Sequence, residues 1–228
     1  MKLVLFDVDG TLIRCGPQVR PIFAAALREV FGCTGDLDGY SFAGKTDPRI
    51  VLDLMTGAGL AADEVARLLP RMRQDYLGRL EAALRPERVE LLPGVVALLE
   101  RLVASPRVAV GLLTGNWHPG ARHKLASHDL NRFFSFGAFG DDGTERHELP
   151  PVALERARRE TGREFAPRDV LIVGDSVEDV RCAAAHDLRC LAVGTGWTPR
   201  EELHGAGACW VAEDLPGAVG ALEEFGVG

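Results

Sequence analysis

The sequence contains no apolar run that approaches the roughly 20 residues of a membrane span. Its first apolar stretch, residues 3–6, is interrupted by Asp7, whereas a secretory signal peptide needs an apolar region of roughly 7–15 residues. We therefore expect a cytoplasmic protein with no membrane partner.

The sequence also has few cysteines and fewer basic than acidic residues. The five cysteines include no CxxC pair, which excludes the common zinc ribbons and a disulfide framework. Lys and Arg number 26 against 33 Asp and Glu, a net charge of −7, whereas nucleic-acid-binding domains present a basic face. We expect no nucleic-acid partner. A chain of 228 residues is long enough to bury a stable core without disulfides or a structural metal ion.

Short apolar runs alternate with helical patterns along much of the chain. The runs lie at residues 2–6, 108–113, 134–139, 170–173 and 190–193. Helices are predicted between the later runs, at 121–128, 151–159 and 178–186. This alternation is typical of right-handed βαβ units, so we predict an α/β fold with a doubly wound, Rossmann-like parallel sheet.

The interval between the first two predicted strands differs from the rest. It shows amphipathic helical patterns at 18–31, 48–56 and 63–84, and we expect Pro70 to break or kink the third. A further helix, 95–103, leads into the second strand. We predict an all-helical cap domain, residues 16–90, inserted into a catalytic core made of residues 1–15 and 91–228.

Polar side chains follow three of the predicted strands. They lie in the sequences DVDGT at 7–11, LTGN at 113–116 and GDSVED at 174–179. Each has a plain structural explanation on its own: an Asp-Gly turn, a polar turn and an acidic helix cap. Taken together they are less easily explained, because ligands of such sheets bind beyond the carboxyl ends of the strands. A converging set of Asp7, Asp9 and Asp175 offers the hard oxygen ligands that suit Mg²⁺.

These three motifs, in this order, resemble those of the haloacid dehalogenase superfamily of phosphohydrolases. The helical insert, with GKTDP at 44–48, resembles the cap of its phosphoglycolate-phosphatase-like branch. The resemblance implies a Mg²⁺-dependent phosphomonoester hydrolase that works through an aspartyl-phosphate intermediate. Its substrate would be a small phosphorylated metabolite, namely a phosphoglycolate-like ester, a sugar phosphate or a nucleotide monophosphate.

The same resemblance implies roles for individual residues. Asp7 would be the nucleophile and a metal ligand, and Asp9 the general acid and base, with its backbone carbonyl on the metal. Asp175 would supply a second carboxylate ligand, and Asp179 would hold metal-bound waters or the ligands themselves. The residues implied to bind the phosphoryl oxygens are Thr114, Gly115 and Asn116. In the cap, Lys45 would contact the substrate.

One element of the family pattern is missing. A lysine normally precedes the helix before the fourth motif, but residues 144–151 read TERHELPP. The positive charge is still needed beside a phosphate and two carboxylates. Lys124 or Arg146 could supply it at the phosphate-binding site, and of the two we favour Lys124.

The motifs leave alternatives open. A phosphomutase begins with the same aspartyl-phosphate and differs in whether water or a second hydroxyl accepts the phosphoryl group. A phospho-acceptor protein without turnover also uses an acidic cluster and Mg²⁺, but it has no need of a large insert after the first strand. The sequence is compatible with a monomer or a homodimer.

Overall fold

The computed structural model describes residues 1–227. Its strands are, in chain order, β1 Lys2–Phe6, β2 Ile13–Arg14, β3 Glu90–Leu91, β4 Val108–Leu113, β5 Gly137–Ala138, β6 Val170–Gly174, β7 Arg189–Val193 and β8 Trp210–Ala212. Within the described residues, six of them form a parallel sheet in the order β5-β4-β1-β6-β7-β8, and β2 pairs with β3 in a small antiparallel sheet. The predicted α/β fold with a doubly wound parallel sheet is confirmed.

The helices cover both faces of the main sheet and fill the insert. In chain order they are α1 Val19–Phe31, α2 Asp47–Gly57, α3 Ala62–Ala83, α4 Val95–Val103, α5 His118–Ala126, α6 Leu149–Thr161, α7 Val177–Ala184, α8 Arg200–Gly205 and α9 Val219–Phe225. Among the helices of residues 1–227, none combines the length and the apolar character that a membrane span requires.

Strand β1 lies at the centre of the sheet, with β4 on one side and β6 on the other. Leu5 packs into one hydrophobic cluster and its neighbour Phe6 into the other, so both faces of β1 are covered. Phe6 is aligned with Leu112 in β4 and with Val173 in β6. The carboxyl ends of the three strands therefore lie side by side, and the loops that follow them meet.

The insert leaves and rejoins the sheet region through β2 and β3. The two strands are joined by their ladder and by an ion pair between Arg14 and Glu90, 2.7 Å long. Between them, the described chain contains α1, α2 and α3 and no strand. Helices α1 and α3 pack together, with the rings of Phe23 and Tyr76 in edge contact at a centroid distance of 4.9 Å.

Two local expectations differ from the structure. Of the break or kink expected at Pro70, the break is absent, because α3 runs without interruption across this residue. The lost backbone hydrogen bond is offset by the buried face of α3, where Met72 and Tyr76 are almost fully enclosed. The strand expected at 134–139 is also shorter, because only Gly137 and Ala138 pair with the last two residues of β4 at this edge of the sheet.

Candidate active site

Three aspartates meet at the carboxyl ends of β1 and β6. Asp7 directly follows β1, Asp175 directly follows β6, and Asp179 lies in the first turn of α7. All three are buried, and each offers a carboxylate oxygen within 4.8 Å of the others. The structure therefore brings Asp7 and Asp175 together with Asp179, but the Asp9 side chain, which we expected to converge with Asp7 and Asp175, is not part of this cluster.

Glycines make room for the carboxylate of Asp175. Gly10 has a positive φ of 88°, and a Cβ atom there would lie 2.4 Å from Asp175 Oδ2. A Cβ atom at Gly196, in the loop after β7, would lie only 1.7 Å from the same oxygen. Thr11 donates a hydrogen bond to the other oxygen, Oδ1, at 3.3 Å. Asp175 is thus held in a cradle that larger side chains would destroy.

Asp179 is fixed by the start of α7. Ser176 is the N-cap of this helix, and its hydroxyl donates to Asp179 Oδ2 at 2.6 Å while its backbone N–H donates to the same oxygen at 3.0 Å. Asp179 therefore serves both as a helix-cap residue and as a member of the acidic cluster. Its Oδ2 completes the cap, and its second carboxylate oxygen, Oδ1, accepts a hydrogen bond from Arg146.

Arg146 is the cation of this cluster. It lies in the short turn before α6, and its Nη2 is 3.0 Å from Asp7 Oδ1 and also contacts Asp179. The same guanidinium donates to the backbone carbonyls of Leu113, at 3.2 Å, and of Gly44 in the insert, at 3.1 Å. Burial lowers the pKa of Arg146, but the carboxylates of Asp179 and Asp7 outweigh this effect and raise it.

The acidic cluster carries more negative charge than Arg146 neutralises. Burial raises the pKa of Asp7 to about 6, although Arg146 acts in the opposite direction. Burial, and next the charges of Asp7 and Asp179, raise the pKa of Asp175 well above its usual range. A divalent cation would supply the two missing positive charges, and an oxygen-only donor set suits Mg²⁺. The residues present therefore fit a metal ion.

A second polar group surrounds Asp9. Lys124, which is buried on α5, lies with its Nζ 2.6 Å from Asp9 Oδ2 and 2.6 Å from Asn116 Oδ1. The Asn116 amide nitrogen donates to Asp9 Oδ2 at 2.8 Å and to Thr114 Oγ1 at 2.9 Å. The structure thus places the two candidate cations differently: Arg146 is against Asp7, and Lys124, which we favoured for the place beside the phosphate, is against Asp9.

The insert contacts the turn after β4. The N–H of Asp47 donates to the Gly115 carbonyl at 2.8 Å, and the Trp117 N–H donates back to Asp47 Oδ2 at 2.8 Å. Gly115 permits this approach, because a Cβ atom there would lie 2.1 Å from the Lys45 carbonyl oxygen. Ion pairs of Arg49 with Glu145, and of Arg73 with Asp141, extend the contact.

A cavity of about 1040 Å³ lies between the insert and the strand ends. Asp7, Asp9 and Asp175 line it from the sheet side, and Lys45 lines it from the insert. The Nζ of Lys45 lies 3.8 Å from the centre of the Tyr40 ring and 3.5 Å from Asp53. Such a volume is at the upper end for small-molecule sites, so it holds more than a phosphate group.

Some residues at this site were not predicted. Asp47 is buried at the start of α2, and burial raises its pKa to about 7. Its place within GKTDP was visible in the sequence, but the same position is a common helix start. Trp197, whose side chain is largely exposed, lines the cavity from the loop after β7, and no sequence pattern pointed to it.

Comparison with known proteins agrees with this geometry. Residues 1–187 match the family model described as haloacid dehalogenase-like hydrolase. The chain is 30% identical over 215 residues to the phosphoglycolate phosphatase of Synechococcus elongatus, covering 93% of each chain. It is 29% identical over 219 residues to that of Rhodobacter capsulatus, covering 95% of each.

Solved structures share the fold. A predicted phosphatase from Clostridium acetobutylicum superposes with a TM-score of 0.73 at 18% identity, over 98% of both chains. A haloacid dehalogenase-like hydrolase from Bacteroides fragilis gives a TM-score of 0.70 at 22% identity, over 94% of this chain and 97% of the other. With a matched family model, full-length relatives and the acidic cluster at the strand ends, the chain belongs to the haloacid dehalogenase-like hydrolases and is an enzyme of their phosphatase type.

Proposed function

We propose that the protein is a Mg²⁺-dependent phosphomonoesterase that forms an aspartyl-phosphate on Asp7. One observation carries the proposal: Asp7 lies buried between Arg146 and Asp175 at the end of the central strand, and it lines the cavity. A carboxylate held in such a place faces an incoming phosphorus atom with its charge partly screened by the guanidinium.

Mg²⁺, held by Asp7, Asp175 and the Asp9 carbonyl, would supply positive charge that stabilises the transferring phosphoryl group. Arg146 adds a fixed positive charge and takes the place of the family's usual lysine. Two features support this assignment: its position just before α6 and its contact with Asp7. Asp179 fixes the position of Arg146 relative to the start of α7, because one of its oxygens accepts from Arg146 and the other from Ser176.

The chain's own residues carry out two displacement steps. In the first, an Asp7 carboxylate oxygen bonds to phosphorus, the ester P–O bond breaks, and Asp9 gives its proton to the departing alcohol oxygen. In the second, a water oxygen bonds to phosphorus and the bond from phosphorus to the Asp7 oxygen breaks. Asp9 takes the proton from that water. The products are an alcohol and inorganic phosphate, and both aspartates return to their starting states.

The turn after β4 would bind the phosphoryl oxygens. Thr114 is buried beside the strand ends, and its hydroxyl accepts from Asn116 Nδ2, so its own proton is free to point at an anion. Gly115 and Asn116 line the same part of the cavity. Hydroxyl and amide donors arranged in this way stabilise charge that develops on a transferring phosphoryl group.

Residues 16–90 are proposed to form a cap domain on the core made of 1–15 and 91–228, with β2 and β3 as the connection. The cap would recognise the leaving group, because the strand-end residues reach only the phosphoryl group. Its contacts with Gly115 and Trp117 support a closed position over the site. Closure would exclude bulk water during attack by Asp7.

Phosphoglycolate is the first substrate to test, because it is named for the relatives at about 30% identity. We place the enzyme in the cytoplasm, as a monomer or a homodimer, acting on a small phosphorylated metabolite. The test is a panel of phosphate monoesters, from phosphoglycolate to sugar phosphates and nucleotides, assayed for phosphate release with Mg²⁺. Release from none of them by the wild type, or equal release by Asp7→Asn, would overturn the proposal.

A further inference from the structure

Lys124 occupies an unusual position for a lysine, because its side chain is almost entirely enclosed on α5. A buried ammonium group needs compensating acceptors, and Lys124 has two. Its Nζ lies 2.6 Å from Asp9 Oδ2 and 2.6 Å from Asn116 Oδ1. Neither acceptor belongs to the group around Asp7, which has its own cation in Arg146.

The chemistry of Lys124 fixes the orientation of the Asn116 amide. An ammonium group only donates hydrogen bonds, so the amide oxygen of Asn116 has to face it. The amide nitrogen is thereby turned towards Asp9 Oδ2, at 2.8 Å, and Thr114 Oγ1, at 2.9 Å. Without Lys124 the amide could rotate and present its oxygen to Asp9, which would repel the carboxylate.

Both donors act on the same oxygen of Asp9. In the described part of the chain, Lys124 Nζ and Asn116 Nδ2 both bond to Oδ2, which fixes the carboxyl plane and leaves Oδ1 as the oxygen for the reacting group. Both side chains line the cavity, but that of Asp9 is partly open to it, whereas that of Lys124 is almost fully enclosed and its Nζ is bonded to Asp9. The lysine therefore acts on the substrate through Asp9.

We propose that Lys124 is a positioning residue that, together with Asn116, aims Oδ1 of Asp9 at the oxygen of the leaving group. This inference rests on the proposed role of Asp9 as the general acid. In the first step the proton passes from Asp9 Oδ1 to the alcohol oxygen as the ester P–O bond breaks. In the second, Oδ1 takes a proton from the attacking water.

The leaving group provides a selective test. A p-nitrophenolate leaves with little help from an acid, whereas an alkoxide needs a proton as it departs, and general acids contribute on the order of 10²–10⁴-fold. For Lys124→Met we expect kcat/KM to fall about 10²-fold with an alkyl phosphate and much less with p-nitrophenyl phosphate. A merely structural role would lower both values alike.

Asp9→Asn measures the largest loss that a missing acid can cause, and Arg122→Gln is the matched control. Arg122 lies on the same helix but donates to the Phe134 carbonyl, away from Asp9, so the ratio of the two kcat/KM values should equal that of the wild type. Lys124→Gln gives the same readout with a smaller disturbance should Lys124→Met fail to fold.

The outcomes separate the two proposals. A selective loss in both Asp9→Asn and Lys124→Met supports the positioning role. A selective loss in Asp9→Asn, with Lys124→Met either equal to the wild type or equally impaired on both substrates, overturns it and leaves the proposed function standing. Equal losses on both substrates in Asp9→Asn remove Asp9 as the acid and overturn the positioning role with it, whereas the phosphomonoesterase activity itself stands or falls with the substrate panel and Asp7→Asn.

Discussion

The guanidinium of Arg146 lies 3.0 Å from Asp7 Oδ1, and the same nitrogen contacts Asp179. A second nitrogen of Arg146 donates to the Gly44 carbonyl in the insert. One cation thus joins the proposed nucleophile, the start of α7 and the proposed cap. If Arg146 binds the phosphoryl group as proposed, its contact with Gly44 would couple that binding to the position of the insert.

Replacing this cation should impair phosphoryl transfer. Arg146→Met is expected to lower kcat/KM on the order of 10²–10³-fold, because the charge that forms on the phosphoryl group loses a fixed partner. Arg146→Lys should keep more of the activity, since a single ammonium can still reach Asp7. Arg159→Met is the control, because Arg159 is exposed and pairs only with Glu155 among the described residues. Near-wild-type activity in Arg146→Met would mean that the positive charge comes from elsewhere.

The cradle around Asp175 offers a test of the metal that changes no charge. Gly196→Ala would drive a Cβ atom into Asp175 Oδ2, so the carboxylate must move. The Mg²⁺ concentration that gives half-maximal activity should rise about 10–100-fold, as for other supporting contacts of metal ligands. Gly220→Ala, where an added Cβ meets nothing within 4 Å, should leave it unchanged. Full activity in excess EDTA would contradict the metal assignment.

Asp47 should make stability depend on pH. Burial raises its pKa from 3.8 to about 7, so between about pH 4 and pH 7 the folded state binds more protons at Asp47 than the unfolded state does. The contribution of Asp47 to the free energy of unfolding therefore falls as pH rises through this window and is constant above it.

Asp47→Asn removes this titration and keeps an acceptor for the Trp117 N–H. The free energy of unfolding of the variant, relative to the wild type, should increase from pH 4 to pH 7, by roughly 1.4 kcal/mol per unit of pKa difference. Urea denaturation at several pH values measures it, with the exposed Asp38→Asn as control. A difference that is constant with pH contradicts the assignment.

Lys45 is expected to influence substrate choice. It lines the cavity from the insert, beside Tyr40 and Asp53. Lys45→Ala should lower kcat/KM for the best substrate of the panel more than for p-nitrophenyl phosphate, because only the former has a leaving group shaped for the cap. An unchanged ratio of the two values would mean that this part of the insert does not contact the substrate.

The sequence predicted the acidic cluster because strand ends in a parallel sheet are aligned. Phe6 is aligned with both Leu112 and Val173, so the residues that follow β1, β4 and β6 lie close together at one edge of the sheet. The alignment of strand ends does not predict where the two cations lie. Lys124 and Arg146 come from different elements near the same site, and the carboxylate that each one reaches depends on how α5 and the turn before α6 pack.

Other features depended on tertiary packing in the same way. The burial of Asp47 arises only when α2 meets the turn after β4, which no local pattern encodes. The cradle formed by Gly196 joins loops from distant parts of the chain. The strand near residue 137 is short because it pairs with the end of β4 alone, although its apolar run suggested more.

The covalent intermediate tests the central claim most directly. The enzyme is mixed with Mg²⁺ and its best substrate, quenched in acid during turnover and reduced with borohydride, which converts an aspartyl-phosphate to homoserine. Mass spectrometry of the N-terminal peptide should find this conversion at residue 7 in the wild type, and find none without substrate or in Asp7→Asn. Rapid turnover with Asp7 unmodified under the same quench, or the conversion at another aspartate, would contradict the account.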